Sequence, residues 1–508
     1  MTSSRTSRAL LGVLGVTILL VAWQILGATQ TLGRTLPSLT EVLAVFGERG
    51  EILWRAATAT GARALVGGLV GLAIGLVLAA LTAWWPRTSR TVVRSAVLIN
   101  AIPIVAIGPV LMSLDGREYI PEIFAALSVL FSTVITATAG FRAASEGSRD
   151  LLRVFRTSRW KRFLHLDLPA SVPTLADALR LAVPAAMLGA LLGEWFGADR
   201  GLGVVMVSSM RNIQYPQLWA AALIAVLMSL VAYSLAGLLE RFASARFGRT
   251  GDTSAEVPHL GRAASIITSI AIPAALVVAW QLWIVLADVP LIVAPPPGDV
   301  AVALFTDPGE YLVAAAVTVG LALGGVATGA LLGILLAIIV SLAQWLAALL
   351  SPLALLIPTV PIVVFIPIVG SFFGYGVATV FVSCVLMAFF PIYVLALSGL
   401  QTRPAGSNDL FTVYRTGRFR RLAYLALPAS VPSLALALRL AAANAILIAI
   451  SAEWLMGQGG LGRLLSEKRV VLDTAGSWAA VVVAIVVSII VYIGAERTET
   501  ALVRRWRS

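Results

Sequence analysis

Long apolar segments recur along the whole of this 508-residue chain. A helix needs roughly 20 apolar residues to cross the hydrocarbon core of a membrane. About twelve such segments fall in two sets of six: 9–28, 61–84, 95–113, 122–140, 174–197 and 217–238, then 265–286, 314–342, 347–370, 376–399, 433–456 and 478–495. Hydrophobic residues make up 59% of the chain and charged residues only 12%, more apolar than a soluble domain can cover with polar surface. The sequence therefore predicts an all-α integral membrane protein with about twelve transmembrane helices.

The basic residues indicate how the chain is oriented. With both termini in the cytoplasm, most of the 37 Lys and Arg residues fall in cytoplasmic segments, as the positive-inside rule expects. We therefore attribute the formal charge of +12 to topology and not to nucleic-acid binding. A cleaved signal peptide is the alternative interpretation of 9–28, because a short basic start precedes it. No convincing cleavage site follows Ala28.

The chain is also a tandem duplication. A shift of 259 residues aligns 150–182 with 409–441, with 21 of 33 positions identical. Each copy holds six spans, an even number, so the two repeats enter the membrane in the same orientation and are related by an axis along its normal. We expect one transmembrane domain at 1–240, a polar cytoplasmic linker at 241–264 and a second transmembrane domain at 265–508.

A basic loop between the fourth and fifth spans of each repeat carries matched motifs. "RTxR" occurs at Arg156 and at Arg415, and "LPASVP" occurs at 168–173 and at 427–432. An ordinary positive-inside loop explains the arginines but not these motifs. A helical segment bounded by prolines, which end one helix and begin the next, would form a rigid element that can dock another protein.

These loops resemble the EAA loop of ABC importer permeases, a cytoplasmic element that inserts into a groove of the ATPase. Arg156 and Arg415 stand where the family pattern has glycine. The resemblance implies ATPase-coupling roles for these residues: Asp150, Leu151, Leu152, Arg156, Thr157, Arg159 and Pro169 in the first loop, and Asp409, Leu410, Phe411, Arg415, Thr416, Arg418 and Pro428 in the second.

Other motifs resemble the nitrate, sulfonate, taurine and bicarbonate branch of these permeases. They are a first-span tryptophan (Trp23 and Trp280), "AIPIVAIGP" or "TVPIVVFIP" in the third span, and "LRLA" followed by "EW" and "GLG". The resemblance implies a type I importer transmembrane fold with two ABC ATPase subunits, a periplasmic or lipid-anchored binding protein, and a bacterial inner membrane. No second permease chain is required. The solute would be a sulfonate, nitrate or similar oxyanion, or a vitamin precursor.

Enzyme motifs are missing from the sequence. Only Lys161 and Lys468 are present as lysines, and neither follows a phosphate-binding glycine loop, so nucleotide sites must lie on another chain. We find no nucleophile and base pattern, and the single Cys384 excludes an intrachain disulfide or a cysteine-only metal cluster. We expect a transport protein with no catalytic residue, cofactor or metal.

Charged residues and prolines within the spans are the candidates for the pathway or its gate. Arg180 and Glu194 lie roughly 21 Å apart along one helix and cannot pair. Glu194 either caps a turn at the nearby glycines or belongs to an outer gate, and Glu453 repeats it. The pathway or gate candidates are Pro103, Pro109, Glu194, Pro361, Pro367 and Glu453.

Two other classes have a similar topology. A secondary transporter of the major facilitator type has six plus six spans in parallel repeats, but a charged motif between spans two and three would be expected there. A channel or structural membrane protein would not need a matched cytoplasmic element in each repeat.

Overall fold

The structure is a computed structural model. It describes residues 2–85, 92, 96, 103–112, 117–247, 262–291, 293–343, 345–347, 349–350, 360–402, 411, 413–414 and 416–507. The first repeat contains α1 Thr2–Ala28, α2 Leu39–Trp84, α3 Ile104–Met112, α4 Ile120–Gly140, α5 Glu146–Val154, α6 Arg159–Arg162, α7 Leu168–Glu194, α8 Leu202–Arg211 and α9 Tyr215–Phe247. The second contains α10 Arg262–Leu286, α11 Pro297–Thr306, α12 Pro308–Leu342, α13 Phe365–Phe373, α14 Val377–Gln401, α15 Arg418–Arg421, α16 Leu427–Met456, α17 Gly460–Val470 and α18 Thr474–Arg507.

The described residues are almost entirely helical, which confirms the predicted all-α membrane fold. Eight stretches are long and apolar enough to cross a membrane: Leu39–Trp84, Ile120–Gly140, Arg159–Glu194, Tyr215–Phe247, Pro308–Leu342, Val377–Gln401, Arg418–Met456 and Thr474–Arg505. Each repeat supplies four of them. Shorter apolar helices at Gly12–Ala28 and Ala274–Leu286 correspond to the first expected span of each repeat.

In both repeats, the helix of the second span begins at a side-chain cap, and the helical segment around its start is interrupted. The Ser38 hydroxyl accepts a hydrogen bond from the Glu41 N–H, and the Glu41 carboxylate accepts one from the Ser38 N–H, so this capping box begins α2. The helix is interrupted by non-helical backbone at Arg49. In the second repeat the chain breaks completely, since α11 ends at Thr306 and Asp307 caps the start of α12.

Three helices form the centre of each repeat: α2, α4 and α7 in the first, and α12, α14 and α16 in the second. Glycines allow α2 and α4 to approach closely, because a Cβ at Gly71 would lie 2.3 Å from the Ala126 carbonyl oxygen. The second repeat has the same contact, with 2.6 Å from a Cβ at Gly329 to the Val385 oxygen. Small residues are typical of such interfaces, since lipid provides little drive for helices to associate.

The third span of each repeat differs from a single long helix. In the first repeat its described part includes α3, which begins after Pro103. In the second it includes a 3₁₀ turn at Ile362–Val364 followed by α13. A proline lacks the N–H that would bond to the preceding turn, so Pro103 and Pro361 favour the start of a new helical segment. These short helices cross between the repeats: α3 packs on α16, α17 and α18, while α13 packs on α8 and α9.

The expected linker at 241–264 is helical at both ends where it is described. Helix α9 continues to Phe247, and α10 begins at Arg262. The residues between them, including His259, lie outside the described part of the chain.

Candidate functional site

The last residue of α7, Glu194, has a buried carboxylate that accepts hydrogen bonds from other segments. Glu194 is 2% exposed. Its Oε2 accepts a hydrogen bond from the Gly203 N–H at 2.8 Å, and its Oε1 accepts one from the Thr60 hydroxyl at 2.7 Å. The Thr60 oxygen in turn accepts a bond from the Leu202 N–H at 2.8 Å. Carboxylate and hydroxyl together therefore satisfy the first N–H groups of α8, which have no partner within their own helix.

The second repeat forms the same cap. Glu453 Oε2 accepts bonds from the Thr318 hydroxyl at 2.8 Å and from the Gly462 N–H at 3.0 Å. The Leu461 N–H donates to the Thr318 oxygen at 2.8 Å. The interpretation of Glu194 as a cap for the glycine turn is confirmed, and it extends to Glu453. We call each arrangement a glutamate cap, and the end of the molecule where both lie the glutamate end.

The "GLG" motif exists because the backbone must come close to the carboxylate. Gly201 has φ 141°, and a Cβ there would lie 2.2 Å from the Glu194 carboxyl carbon. Gly460 has φ 86°, and its Cβ would meet the Glu453 carboxylate at the same distance. A side chain at either position would have to displace the cap.

The first glutamate cap includes an arginine, Arg63, beside its carboxylate. Arg63 Nη1 lies 3.4 Å from Glu194 Oε1, and Arg63 Nε lies 3.9 Å from Glu122. Arg63 also donates to the carbonyl oxygen of Arg200. Its side chain is 15% exposed and that of Glu194 is fully buried.

The second repeat lacks this ion pair. Leu321 occupies the position of Arg63, three residues after the capping threonine, and Phe381 occupies that of Glu122. In the part of the chain that the structure describes, no Lys or Arg lies within 4 Å of Glu453, whose Oε1 has no hydrogen-bond partner. Sequence reasoning treated Glu194 and Glu453 as equivalent and missed Arg63.

The proline candidates lie where the repeats meet. Pro103 is buried directly before α3, and Pro109 lies within α3. Pro361 is buried before the 3₁₀ turn, and Pro367 is buried in α13.

Near the glutamate end, aromatic side chains from the two repeats pack against each other at the boundary between the repeats. The Phe196 and Trp454 rings, one from each repeat, have centroids 5.0 Å apart. A Cβ at Gly108 would lie 2.4 Å from the Phe196 ring. Met456 of the second repeat is buried against Gly370. We call this boundary the seam.

At the opposite end of α7, the first basic loop folds into two short helices. The Ser145 hydroxyl caps α5 and the Ser158 hydroxyl caps α6. Between them Arg156 has φ 48°, the left-handed region that favours glycine. This is the position at which the family pattern has glycine. Arg therefore adopts a glycine-like joint here, at a cost of roughly 1 kcal/mol.

Buried contacts hold this loop against the helices. Asp167, 5% exposed, has carboxylate oxygens 3.5 Å from Arg149 Nη2 and 3.4 Å from Arg162 Nε. The Trp160 ring lies 5.2 Å from that of Trp84 at the end of α2. A π-helical turn at Phe163–Asp167 joins α6 to α7. Loop and span thus form one continuous helical rod, Arg159–Glu194.

The second loop repeats this form with different side chains. Its π-helical turn is Leu422–Ala426, so Ala426 stands where the first loop has Asp167. The Thr416 N–H donates to the Phe411 oxygen at 3.1 Å, as the Thr157 N–H donates to the Leu152 oxygen at 3.1 Å. Arg418 begins α15, as Arg159 begins α6.

The remaining coupling candidates that the structure describes are exposed or partly exposed. Asp150 is exposed and pairs with Arg153 at 2.8 Å, and Leu151 is 58% exposed. Pro169 and Pro428 are the second residues of α7 and α16, directly after the π-helical turns, so the N–H that each proline lacks falls at the junction of two helical segments. Asp409, Leu410 and Arg415 lie outside the described residues.

Each loop presents large apolar side chains to the exterior. We call these sets the knob surfaces. The first contains Val154 (79% exposed), Phe155 (71%) and Trp160 (53%), and the second contains Val413 (78%), Tyr414 (73%) and Phe419 (76%). The same three positions are exposed in both repeats. Exposed apolar clusters mark interaction sites when they lie beside a polar, charged segment.

An ion pair between two spans also occurs in both repeats, and it was not predicted from the sequence. Arg180 Nη1 lies 2.8 Å from Glu240 Oε2, and Arg439 Nη1 lies 2.7 Å from Glu499 Oε2. These pairs link α7 to α9 and α16 to α18. The signal was available, because both residues of the first pair recur 259 positions later.

Comparison with known proteins finds the same family twice along the chain. The model for the binding-protein-dependent transport system inner membrane component matches residues 71–245 and 329–508. A probable ABC transporter permease of Haemophilus influenzae is 32% identical over 238 residues, 46% of this chain and 97% of that protein. The formylaminopyrimidine transport permease ThiX of Halalkalibacterium halodurans is 26% identical over 46% of this chain and 95% of ThiX. The putative aliphatic sulfonates transport permease SsuC of Bacillus subtilis is 26% identical over 45% and 85%.

Proposed function

Since this chain belongs to the family of binding-protein-dependent transport system inner membrane components, we propose that it forms, as one polypeptide, both halves of the membrane pathway of an ATP-binding-cassette importer. The chain is a multi-pass permease of that class, and its relatives are transport components and not enzymes. Each matched relative is about half as long as this chain. A single chain with two family domains therefore replaces a pair of separate permeases.

The repeated knob surfaces carry this proposal. The family works with ATPase and substrate-binding partners. A lone channel or carrier would gain nothing from two matched sets of exposed apolar side chains at one end. We propose that each knob surface docks one ATPase subunit, so that two subunits bind per chain. The residues named for coupling, from Asp150 to Pro169 and from Asp409 to Pro428, would form these two docking elements.

The orientation follows from the same reasoning. The ATPases lie in the cytoplasm, so the loop end and both termini would be cytoplasmic, in keeping with the basic residues there. The glutamate end would then face the periplasm, where a binding protein delivers the solute. The membrane would be the bacterial inner membrane. We propose two transmembrane domains, 1–240 and 265–508, joined by a cytoplasmic linker at 241–264.

The rod Arg159–Glu194 supplies a route for coupling. It is 36 residues long, roughly 50 Å at 1.5 Å per residue, and joins a knob surface directly to a glutamate cap. Arg418–Met456 does the same in the second repeat. Movement of the ATPases at one end would tilt both rods and open or close the seam. Pro103, Pro109, Pro361 and Pro367 would line the pathway there, and Glu194 and Glu453 would hold the outer gate.

The solute would be small and polar. Relatives are described as permeases for aliphatic sulfonates, formylaminopyrimidine and riboflavin. We propose a sulfonate, nitrate or similar oxyanion, or a vitamin precursor, as the class to test.

Replacing Asp150 and Asp409 with Arg tests the coupling role. Asp150 is exposed and bonded only within its own helix to Arg153 in the described structure, so the fold should tolerate the change. We expect ATP-driven uptake to fall at least 10-fold while membrane insertion is unchanged, because one charge at each docking surface changes sign relative to the ATPase groove. Uptake by purified importer in proteoliposomes measures this. Normal uptake by the double variant would show that Asp150 and Asp409 have no role in coupling.

A further inference from the structure

Arg469 is a cation that the fold does not require. It lies in the last turn of α17, and Met210 occupies the corresponding position of α8 in the first repeat. The two helices have the same cap and the same glycines, yet one carries a guanidinium and the other a thioether. The helix therefore forms without a charge at this position.

Neighbouring cations on α17 have carboxylate partners and Arg469 does not. Arg463 pairs with Glu467 at 2.7 Å, and Lys468 pairs with Glu310 at 2.7 Å. Among the residues that the structure describes, no carboxylate oxygen lies within 4 Å of Arg469. Its Nη1 donates to the sulfur of Met112.

This contact places the guanidinium at the seam. Met112 ends α3 of the first repeat, and a Cβ at Gly197, just after the first glutamate cap, would lie 3.4 Å from the Met112 methyl carbon. Arg469 is half-buried, and burial lowers the pKa of its guanidinium. An arginine nevertheless stays charged in water at neutral pH. A partly desolvated positive charge thus lies beside the boundary between the repeats, with no counter-ion among the described residues.

We propose that Arg469 and the adjacent end of α3 form an anion-receiving site at the glutamate end of the seam, which selects small organic sulfonates or similar oxyanions. A guanidinium presents several N–H donors in a plane that matches such oxygens. A positive charge at the mouth of a pathway also raises the local concentration of anions. The proposal rests on the proposed importer for the direction of movement, but its anion chemistry does not.

A cysteine at position 112 tests the electrostatic field at this site. The chain has one cysteine, Cys384, which is buried and serves as the background control. In the Met112→Cys variant of the full chain, we compare the modification rates for two thiol reagents of similar size. One is the anionic 2-sulfonatoethyl methanethiosulfonate, itself an organic sulfonate, and the other is its cationic trimethylammonium counterpart.

We expect the ratio of anionic to cationic rates to fall roughly 10-fold when Arg469→Gln is added. It should change little with Arg463→Gln, a matched control on the same helix whose cation is exposed and already paired. Ethanesulfonate should protect the thiol in the Arg469 background only.

Three results would overturn the proposal: a ratio indifferent to Arg469, no reaction with either reagent, or protection by phosphatidylglycerol in the bilayer and not by ethanesulfonate. The last would mean that a lipid headgroup occupies the site. None of these results affects the importer assignment, which is tested separately by ATPase co-purification because Arg469 lies far from the knob surfaces.

Discussion

Replacing Val154 and Val413 together with Asp is expected to abolish ATPase binding and transport while the permease stays folded. Both side chains are nearly four-fifths exposed, so the folded chain loses little packing. A carboxylate in each knob surface would have to lose its water when the ATPase binds, and a few contacts carry most of the affinity of an interface. We expect the amount of co-purified ATPase to fall at least 10-fold.

The measurement is quantitative mass spectrometry of what a tagged chain retains in mild detergent. Val471→Asp is the matched control, because Val471 is 70% exposed but follows α17 at the glutamate end. It should retain the ATPase in full. Each single variant should keep about half of the bound ATPase if the two loops dock independent subunits. Full retention by the double variant would show that the ATPase binds elsewhere.

The two glutamate caps are expected to respond differently to the same neutral substitution. Glu194→Gln leaves the partly buried Arg63 with only the more distant Glu122 as a counter-charge, which should lower the free energy of unfolding by about 2–3 kcal/mol. In Glu453→Gln no cation among the described residues loses a partner. The amide oxygen can still accept from Thr318 and Gly462, so the loss should stay below about 1 kcal/mol.

Unfolding of the purified chain in mixed micelles, followed by tryptophan fluorescence, compares the two variants. Glu194→Gln combined with Arg63→Leu copies the composition of the second cap, and we expect it to recover part of the lost stability. Equal destabilisation by both single substitutions would mean that Arg63 contributes nothing to the first cap.

The amino-acid sequence predicts most of the architecture here because lipid imposes it. Backbone groups in hydrocarbon must bond within their own segment, so apolar length translates directly into helices. The duplication then predicts matched loops and matched caps, and Glu194 and Glu453 were identified in this way. The helix starts within the third spans could not be predicted from the apolar pattern, which does not show that α3 begins after Pro103 and a 3₁₀ turn after Pro361.

The remaining features depend on contacts between distant parts of the chain. Arg63 lies 131 positions before Glu194, and nothing in the local pattern of α2 links the two. The pair of Arg180 with Glu240 likewise joins separate spans. The left-handed conformation of Arg156 could not be predicted from the sequence, because arginine seldom adopts it. Arg469 becomes informative only when its neighbours prove to be paired.

The most direct test of the account is the composition of the complex that the tagged chain forms in its native membrane. Native mass spectrometry of the purified complex should give one copy of this chain with two ATPase subunits, each bearing a phosphate-binding glycine loop, and no second permease. Recovery of the chain alone, still able to carry solute across vesicles without ATP, would contradict the importer and favour a secondary transporter.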